Sequence, residues 1–373
     1  MNLDSDPATH QFRVEVAAAD LLALRDSVRG LLARQAEPGG LALWRRLCTE
    51  IGVAGLAVPE RFGGAGAGPA EIRVVQEELG RVLADTPMLG SAVLATEVLL
   101  ASGDEAAASR LLPGLAAGSQ VAALAWTTSA GTWDPAVVAC RAAAAAEDEW
   151  QIDGRAHYVL DGDRATVLLV PARVGDDIGL FEVRPDAPGV TVSAATTMDQ
   201  TRHLATVALT GAPGLRIRGQ VDLARARDLA CIALAAEQAG AAARALEITV
   251  DYTKTRVQFG RPIGSFQALQ HRMADLHVLV QAARSMARAA ADAAGQGAPD
   301  LALRAAAAKA YCSEALQDVT AEMLQLHGAV AMTWEHEAHR YFKRAHGAAM
   351  LLGTPAQHVE RIAVAVVDGR QSV

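Results

Sequence analysis

Residues 226–256 read ARDLACIALAAEQAGAAARALEITVDYTKTR, and they are followed by FQALQHRMADLHVLVQAARSMARAAADAAG (266–295) and LALRAAAAKAYCSEALQDVTAEMLQLHG (301–328). Each run keeps apolar residues at three-and-four spacing for about 30 positions, far beyond the ~11-residue average helix. Alanine favours the helix and lets neighbouring helices approach closely. Breaks at Gly260–Pro262, Gly295–Pro299 and Gly328 suit an antiparallel bundle with short loops. Upstream, WQIDGRAHYVLDGDRATVLLVPARV (150–174) and GVTVSAATTMDQTRHLATVALTG (189–211) alternate apolar and polar residues between Asp-Gly and Gly-Asp turns, the pattern of strands and hairpins. Earlier still, ADLLALRDSVRGLLARQ (19–35) and AEIRVVQEELGRVLAD (70–85) return to helical spacing, with a Pro- and Gly-rich loop over 58–71 between them. The expected fold is mostly α with a central β domain. It has an N-terminal helical domain over 1–119, a β-barrel or sandwich over 120–222 and a C-terminal four-helix bundle over 223–373.

The chain has 373 residues, 51% hydrophobic and 20% charged, with 4% aromatic and a net charge of −8. That length can bury a full core without disulfide or metal staples, and the acidic balance argues against a nucleic-acid partner. Cys48, Cys140, Cys231 and Cys312 are scattered with no Cys-x-x-Cys pair, which reads as reduced thiols. The opening MNLDSDPATHQFRVEV has neither a basic nor an apolar leader segment. No stretch reads as the ~18 uncharged apolar residues of a membrane span. A cytoplasmic protein is expected.

Most chemical motifs fail on spacing. Gly63, Gly64, Gly66 and Gly68 do not form Gly-x-Gly-x-x-Gly in any register and follow a helical segment rather than a strand. His336-Glu337-x-His339 places the histidines three apart, where the zinc helix needs four. No Gly-x-Ser-x-Gly elbow is present, and no cysteine has a thiolate-stabilising context. No metal site is expected.

Two clusters differ. Arg256-Val-Gln258-Phe259-Gly-Arg261-Pro-Ile-Gly-Ser-Phe266-Gln267 joins two long helices. Its arginine can fork onto a phosphate, the next helix offers free N–H groups, and phenylalanine can cover a flat heterocycle. A plain helix–helix turn with an aromatic plug explains the residues equally well. Gln325-Leu-His327-Gly328-Ala329 ends the third long helix; its small residues permit close ligand approach, or Gly328 is simply a helix cap.

These residues resemble the flavin-dependent acyl-CoA dehydrogenases along nearly the whole chain. GVAGLAVPERFGGAG (52–66) with EELGR (77–81) is similar to a stretch of that family's N-terminal domain. RVQFGRPIGSFQ (256–267) with His271 and Ala274-Asp275 is similar to its specific Arg-x-x-Phe-Gly signature, and QLHGAVAMTWEHEAHRYFKR (325–344) to its Gln-x-x-Gly-Gly segment. The resemblance implies FAD and α,β-desaturation of an acyl-CoA thioester, in which a carboxylate takes the α-proton and the β-hydrogen leaves as hydride. It also implies electron-transfer flavoprotein as acceptor. Arg256, Gln258, Phe259, Phe266, Gln267, Gln325, Gly328 and Ala329 would contact FAD, and Thr127 would be the residue kept on the ring side.

The implied catalytic Glu is absent from both of its family positions, which hold Leu352 and Ala230 here. Glu237 is the nearest substitute on the right helix face, ~10 Å away along the axis. On the flavin side, Trp133 replaces a small serine, and Tyr158-Val159-Leu160 lacks the family's threonine. The residues retained are those that family members lend to a neighbouring subunit. The expectation is a partner lacking the base, completing the FAD site of a catalytic sibling in a heterotetramer. Two alternatives remain open: a self-sufficient divergent dehydrogenase using Glu237, or a non-redox scaffold on the same fold.

Overall fold

The computed structural model describes residues 7–34, 39–146 and 149–367. The leaderless start inferred from sequence falls partly on residues 1–6, and the last stretch of the C-terminal region on 368–373; both lie outside the described residues. Five α-helices come first: α1 (Pro7–Ala33), α2 (Gly40–Glu50), α3 (Pro69–Arg81), α4 (Thr96–Ser102) and α5 (Glu105–Ala116), with a π-helical run over Met88–Ala95. The 58–71 loop is shorter than its composition suggests. Pro69 opens α3, and the Glu71 carboxylate accepts from the Gly68 N–H at 2.9 Å, satisfying a donor that the helix start would otherwise leave free.

Seven strands follow: β1 (Ala122–Leu124), β2 (Cys140–Ala146), β3 (Glu149–Leu160), β4 (Val167–Val174), β5 (Asp177–Val183), β6 (Val190–Ala194) and β7 (Leu204–Ile217). Pairing runs β4–β2–β3–β7–β5 and returns from β5 to β4, so the sheet closes into a barrel, with β1 continuing along β4 and β6 lying on β7. Ile152, Ala156, Leu168, Val170, Phe181 and Val207 fill the interior, as the alternating sequence pattern demands.

Three long helices, α6 (Leu223–Thr255), α7 (Gln267–Gly295) and α8 (Leu301–His327), pack together, and α10 (Pro355–Val367) lies against α8. The shorter α9 (Ala338–Met350) crosses beside α8 and α6. Between α6 and α7, β8 (Val257–Gln258) and β9 (Arg261–Pro262) form a two-stranded hairpin. By length and composition α6 could cross a membrane, but 94% of its most apolar window is buried inside the protein; it is the central helix of the bundle.

The N-terminal helices meet the bundle through a reciprocal glycine crossing. A Cβ on Gly80 of α3 would lie 2.0 Å from the Glu237 carbonyl, and one on Gly240 of α6 would lie 1.9 Å from the Glu77 carbonyl. The two backbones touch only because neither residue has a side chain. This contact sets the depth of Glu237 at the junction of the three regions.

Candidate functional site

The turn between α9 and α10 carries Leu351-Leu352-Gly353-Thr354. Leu352 has φ +59° and is fully buried, an uncommon conformation for a leucine that needs outside support. The support is polar. His358 Nε2 donates to the Leu352 carbonyl at 3.0 Å. Lys309 Nζ, fully buried on α8, donates to Ala349 O at 3.3 Å, Gly353 O at 3.2 Å and Ser313 Oγ at 2.9 Å. None of these three acceptors is a carboxylate, and burial brings the Lys309 pKa down to about 8. Burial likewise lowers His358 to about 3, helped by the nearby Lys309 and Arg361 charges. The imidazole is therefore neutral at ordinary pH.

Ala230 is fully buried in the core beneath this turn. Asp228, two residues earlier, is bound by Arg227 Nε at 3.1 Å and Arg361 Nη2 at 2.8 Å. Glu237 is bound more tightly still. Its Oε1 accepts from Arg344 Nη1 at 2.7 Å and from Arg202 Nη2. Burial works to raise its pKa, but the two guanidiniums outweigh burial and hold the carboxyl below its ordinary value. A carboxylate charged, buried and shared by two arginines is a weak proton acceptor, which weighs against Glu237 as a replacement base.

Arg344 extends the junction. Its Nη2 donates to Thr201 O at 2.6 Å and to Leu83 O at 3.4 Å, and its Nε lies 3.1 Å from Asp199 Oδ2. One side chain on α9 therefore touches the barrel, α6 and the N-terminal helices together.

Between barrel and bundle lies a cleft of about 340 Å³. Trp133, Tyr158, Met198, Leu204, Met350 and Leu351 supply its apolar wall, and Arg202, Thr354 and Gln357 are among its polar groups. The Trp133 indole is buried edge-on against Trp126, with ring centroids 5.5 Å apart. Thr127 is 1% exposed and its hydroxyl donates to the His157 carbonyl. That hydroxyl is spent inside the barrel.

The second candidate region is the end of the bundle where α6 and α8 finish. Tyr252 joins them: its ring stacks on His327 at 4.3 Å, and its hydroxyl donates to the His327 carbonyl at 3.3 Å. The hairpin residues and the Gln325–Ala329 segment thereby share one end of the molecule. Arg256, Gln258, Gln267, Gln325, Gly328 and Ala329 are exposed, and Arg256 has no carboxylate partner among the described residues. Phe259 is 92% exposed at φ +54°. It meets Phe266 edge-on at 6.1 Å, while the Arg261 guanidinium covers the other ring at 4.1 Å. His327 donates from Nδ1 to Met323 O at 2.7 Å, which leaves its buried Nε2 without a partner. His336 packs against His327 at 4.5 Å, and no cluster of three or more possible metal ligands occurs among the described residues.

Sequence reasoning missed Lys309, His358, Arg202 and Arg344. Only Lys309 had a legible signal, as a lone cation within the alanine run 305–310 on what reads as a buried helix.

N-terminal helices, a closed barrel and a helical bundle, with a cleft between barrel and bundle, define the class of fold. Residues 19–119 match the acyl-CoA dehydrogenase N-terminal domain, and residues 223–367 the acyl-CoA dehydrogenase C-terminal domain. The chain is 40% identical over 359 residues to acyl-CoA dehydrogenase IpdE2 of Mycobacterium tuberculosis, covering 91% of this chain and 95% of that protein. Among solved structures it resembles the Tcur3481–Tcur3483 steroid ACAD G363A variant, with 30% identity, TM-score 0.84 and coverage of 95% and 99%. It also resembles the ChsE4–ChsE5 complex from Mycobacterium tuberculosis, with 27% identity, TM-score 0.83 and coverage of 93% and 97%. The chain belongs to the acyl-CoA dehydrogenase family, whose members generally bind FAD.

Proposed function

We propose that this chain is the base-lacking subunit of a mixed, cytoplasmic acyl-CoA dehydrogenase, two copies assembling with two copies of a catalytic sibling. The reading rests on one observation: neither position expected to supply the base can take a proton, since Leu352 and Ala230 are apolar and fully buried, and the carboxylates nearby, Asp228 and Glu237, are bound by arginines. A subunit built this way contributes by binding, and its exposed bundle end offers the groups for that. Arg256 reaches a phosphate, Phe259 covers a heterocycle, and Gln258, Gln267 and Gln325 present amides. Phe266 backs Phe259, while Gly328 and Ala329 let a ligand approach the backbone. The unpartnered His327 Nε2 supports a fit to the nucleotide half of FAD, because a buried acceptor calls for a donor. This chain's own ring side fits FAD poorly, with Trp133 buried at its wall and the Thr127 hydroxyl committed elsewhere.

When bound, the flavin supplies the hydride acceptor; the sibling supplies the base, and this chain holds the nucleotide across the interface. Relatives named as a steroid ACAD and as a two-protein ChsE4–ChsE5 complex favour a bulky, ring-bearing acyl-CoA as substrate and a heterotetramer as assembly. Electron-transfer flavoprotein is the proposed oxidant. The test is co-expression with a catalytic acyl-CoA dehydrogenase of the same organism, followed by native mass spectrometry and flavin quantitation. A four-chain complex with flavin on the sibling is expected. A yellow homo-oligomer of this chain that desaturates acyl-CoA unaided overturns the reading.

A further inference from the structure

Helix α3 packs against both α1 and α7, and a groove of about 610 Å³ lies among them. Six arginines line it: Arg25 and Arg29 from α1, Arg73 and Arg81 from α3, and Arg284 and Arg288 from α7. Three glutamates face them, Glu77, Glu78 and Glu247. None of these residues belongs to the barrel–bundle cleft or to the bundle end that the partner role uses.

The glutamates are already taken at both oxygens. Glu78 holds Arg29 at 2.6 and 2.8 Å, and Glu247 holds Arg81 at 2.6 and 2.9 Å. Glu77 divides its oxygens between Arg284 at 2.9 Å and Arg73 at 3.4 Å. Arg25 and Arg288 are left with exposed acids outside the lining, Asp26 at 3.2 Å and Asp292 at 3.8 Å. Arg244 also reaches Glu247, at 3.3 Å, so seven arginines share five carboxylate partners. Arg73 bears the cost. Its side chain is 15% exposed, and burial, with the Arg288 charge adding to it and Glu77 offsetting it only in part, pulls its pKa below the ordinary arginine range.

Surplus positive charge in a concave site calls for an anion, and planar guanidinium forks match phosphate oxygens. The forks that reach solvent have donors to spare. Arg29 gives only Nε and Nη2 to Glu78, and Arg288, 73% exposed, makes no hydrogen bond among the described residues. A single charge would leave most of the surplus in place, whereas a chain of phosphates brings several at once. We propose that the α1–α3–α7 groove binds a linear oligophosphate, free or carried by a nucleotide, through Arg25, Arg29, Arg284 and Arg288. Bound there, the anion ties the first helix to the bundle. The site is a second binding function of the chain and does not depend on its partner role.

Titration calorimetry of the full purified chain in low-salt buffer with tripolyphosphate, ATP and sulfate tests it. Tripolyphosphate is expected to bind about tenfold or more tighter than sulfate, the scale of one added charge-assisted hydrogen bond, and to raise the melting temperature. Equal binding of tripolyphosphate and ATP would assign a free phosphate chain. Tighter binding of ATP would assign a nucleotide, its nucleoside against Leu21 and Leu22 on the groove wall; either result supports the site. Arg288→Gln and Arg25→Gln, at exposed positions, should each weaken tripolyphosphate about tenfold without changing the melting temperature of the free chain. Arg184→Gln, which removes an arginine 75% exposed on the barrel, and Arg256→Ala at the bundle end should bind as wild type. Sulfate binding as tightly as tripolyphosphate, equal weakening by Arg184→Gln or Arg256→Ala, or no oligophosphate binding overturns the proposal.

Discussion

Arg344 Nη1 lies 2.7 Å from Glu237 Oε1, and this pair joins α9 to α6 where the three regions meet. Removing the acid would leave two buried guanidiniums without their shared partner. Glu237→Gln is therefore expected to destabilise the protein by about 3–5 kcal/mol, seen as a lower urea midpoint. Desaturation by the folded complex should be unchanged. Loss of turnover in a folded, flavin-loaded Glu237→Gln complex would instead identify Glu237 as a base.

Arg256 and Phe259 are exposed, so truncating them should leave the melting temperature of the isolated chain untouched. In the assembled complex, Arg256→Ala should weaken flavin retention by about tenfold or more, the scale of a charge-assisted hydrogen bond. Flavin absorbance per complex after gel filtration reads this out, and unchanged flavin content would remove Arg256 from the nucleotide site.

Lys309 gives stability a pH dependence of definite sign. Its pKa is about 8 in the folded chain against an ordinary 10.5. Between those values the unfolded chain holds a proton that the folded chain has released, so this group makes stability rise with pH over that window. The buried thiols, pushed up to about 12, act in the opposite direction above their ordinary 9. The difference between wild type and Lys309→Met isolates the lysine: urea midpoints at pH 8 and 10 should show a rise in wild type relative to the variant. Parallel pH profiles would contradict this account.

His358 sets the acid limit. With a folded pKa of about 3 against 6.5, the unfolded chain takes up a proton between these values that the folded chain refuses, and stability falls as pH drops through that window. The full effect is of order 5 kcal/mol. His358→Gln, which can still donate to the Leu352 carbonyl but does not titrate, should unfold at a lower pH in circular dichroism. An unchanged acid midpoint would show that other groups dominate.

The glycine crossing is testable through Gly240→Ala. The added methyl would meet the Glu77 carbonyl at 1.9 Å, so α3 and α6 must separate, at a cost of about 1–3 kcal/mol. A melting temperature equal to wild type would mean that the helices are not in backbone contact.

The order of helices, barrel and bundle was legible because apolar periodicity is local: the end of α7 and both ends of α8 fall within two residues of their glycine and proline signals. The family was legible from the Arg256–Gln267 signature, and the apolar side chains at the two expected base positions from Leu352 and Ala230. The fate of Glu237 was not. Its spacing from Ala230 kept it open as a base, yet its partners Arg202 and Arg344 lie 35 and 107 residues away in sequence. The Thr127 hydroxyl's partner was hidden for a similar reason, since His157 is 30 residues distant.

By itself, then, the sequence determined which side chains exist and which helices and strands they form, including the absence of a carboxylate at two positions; composition and short-range spacing carry that information. Only the tertiary structure decided which remaining acids are neutralised and how a leucine is held at positive φ. Those outcomes depend on burial and on charges brought together from distant parts of the chain, and electrostatics in a low-dielectric interior is set by distance in space, not along the sequence.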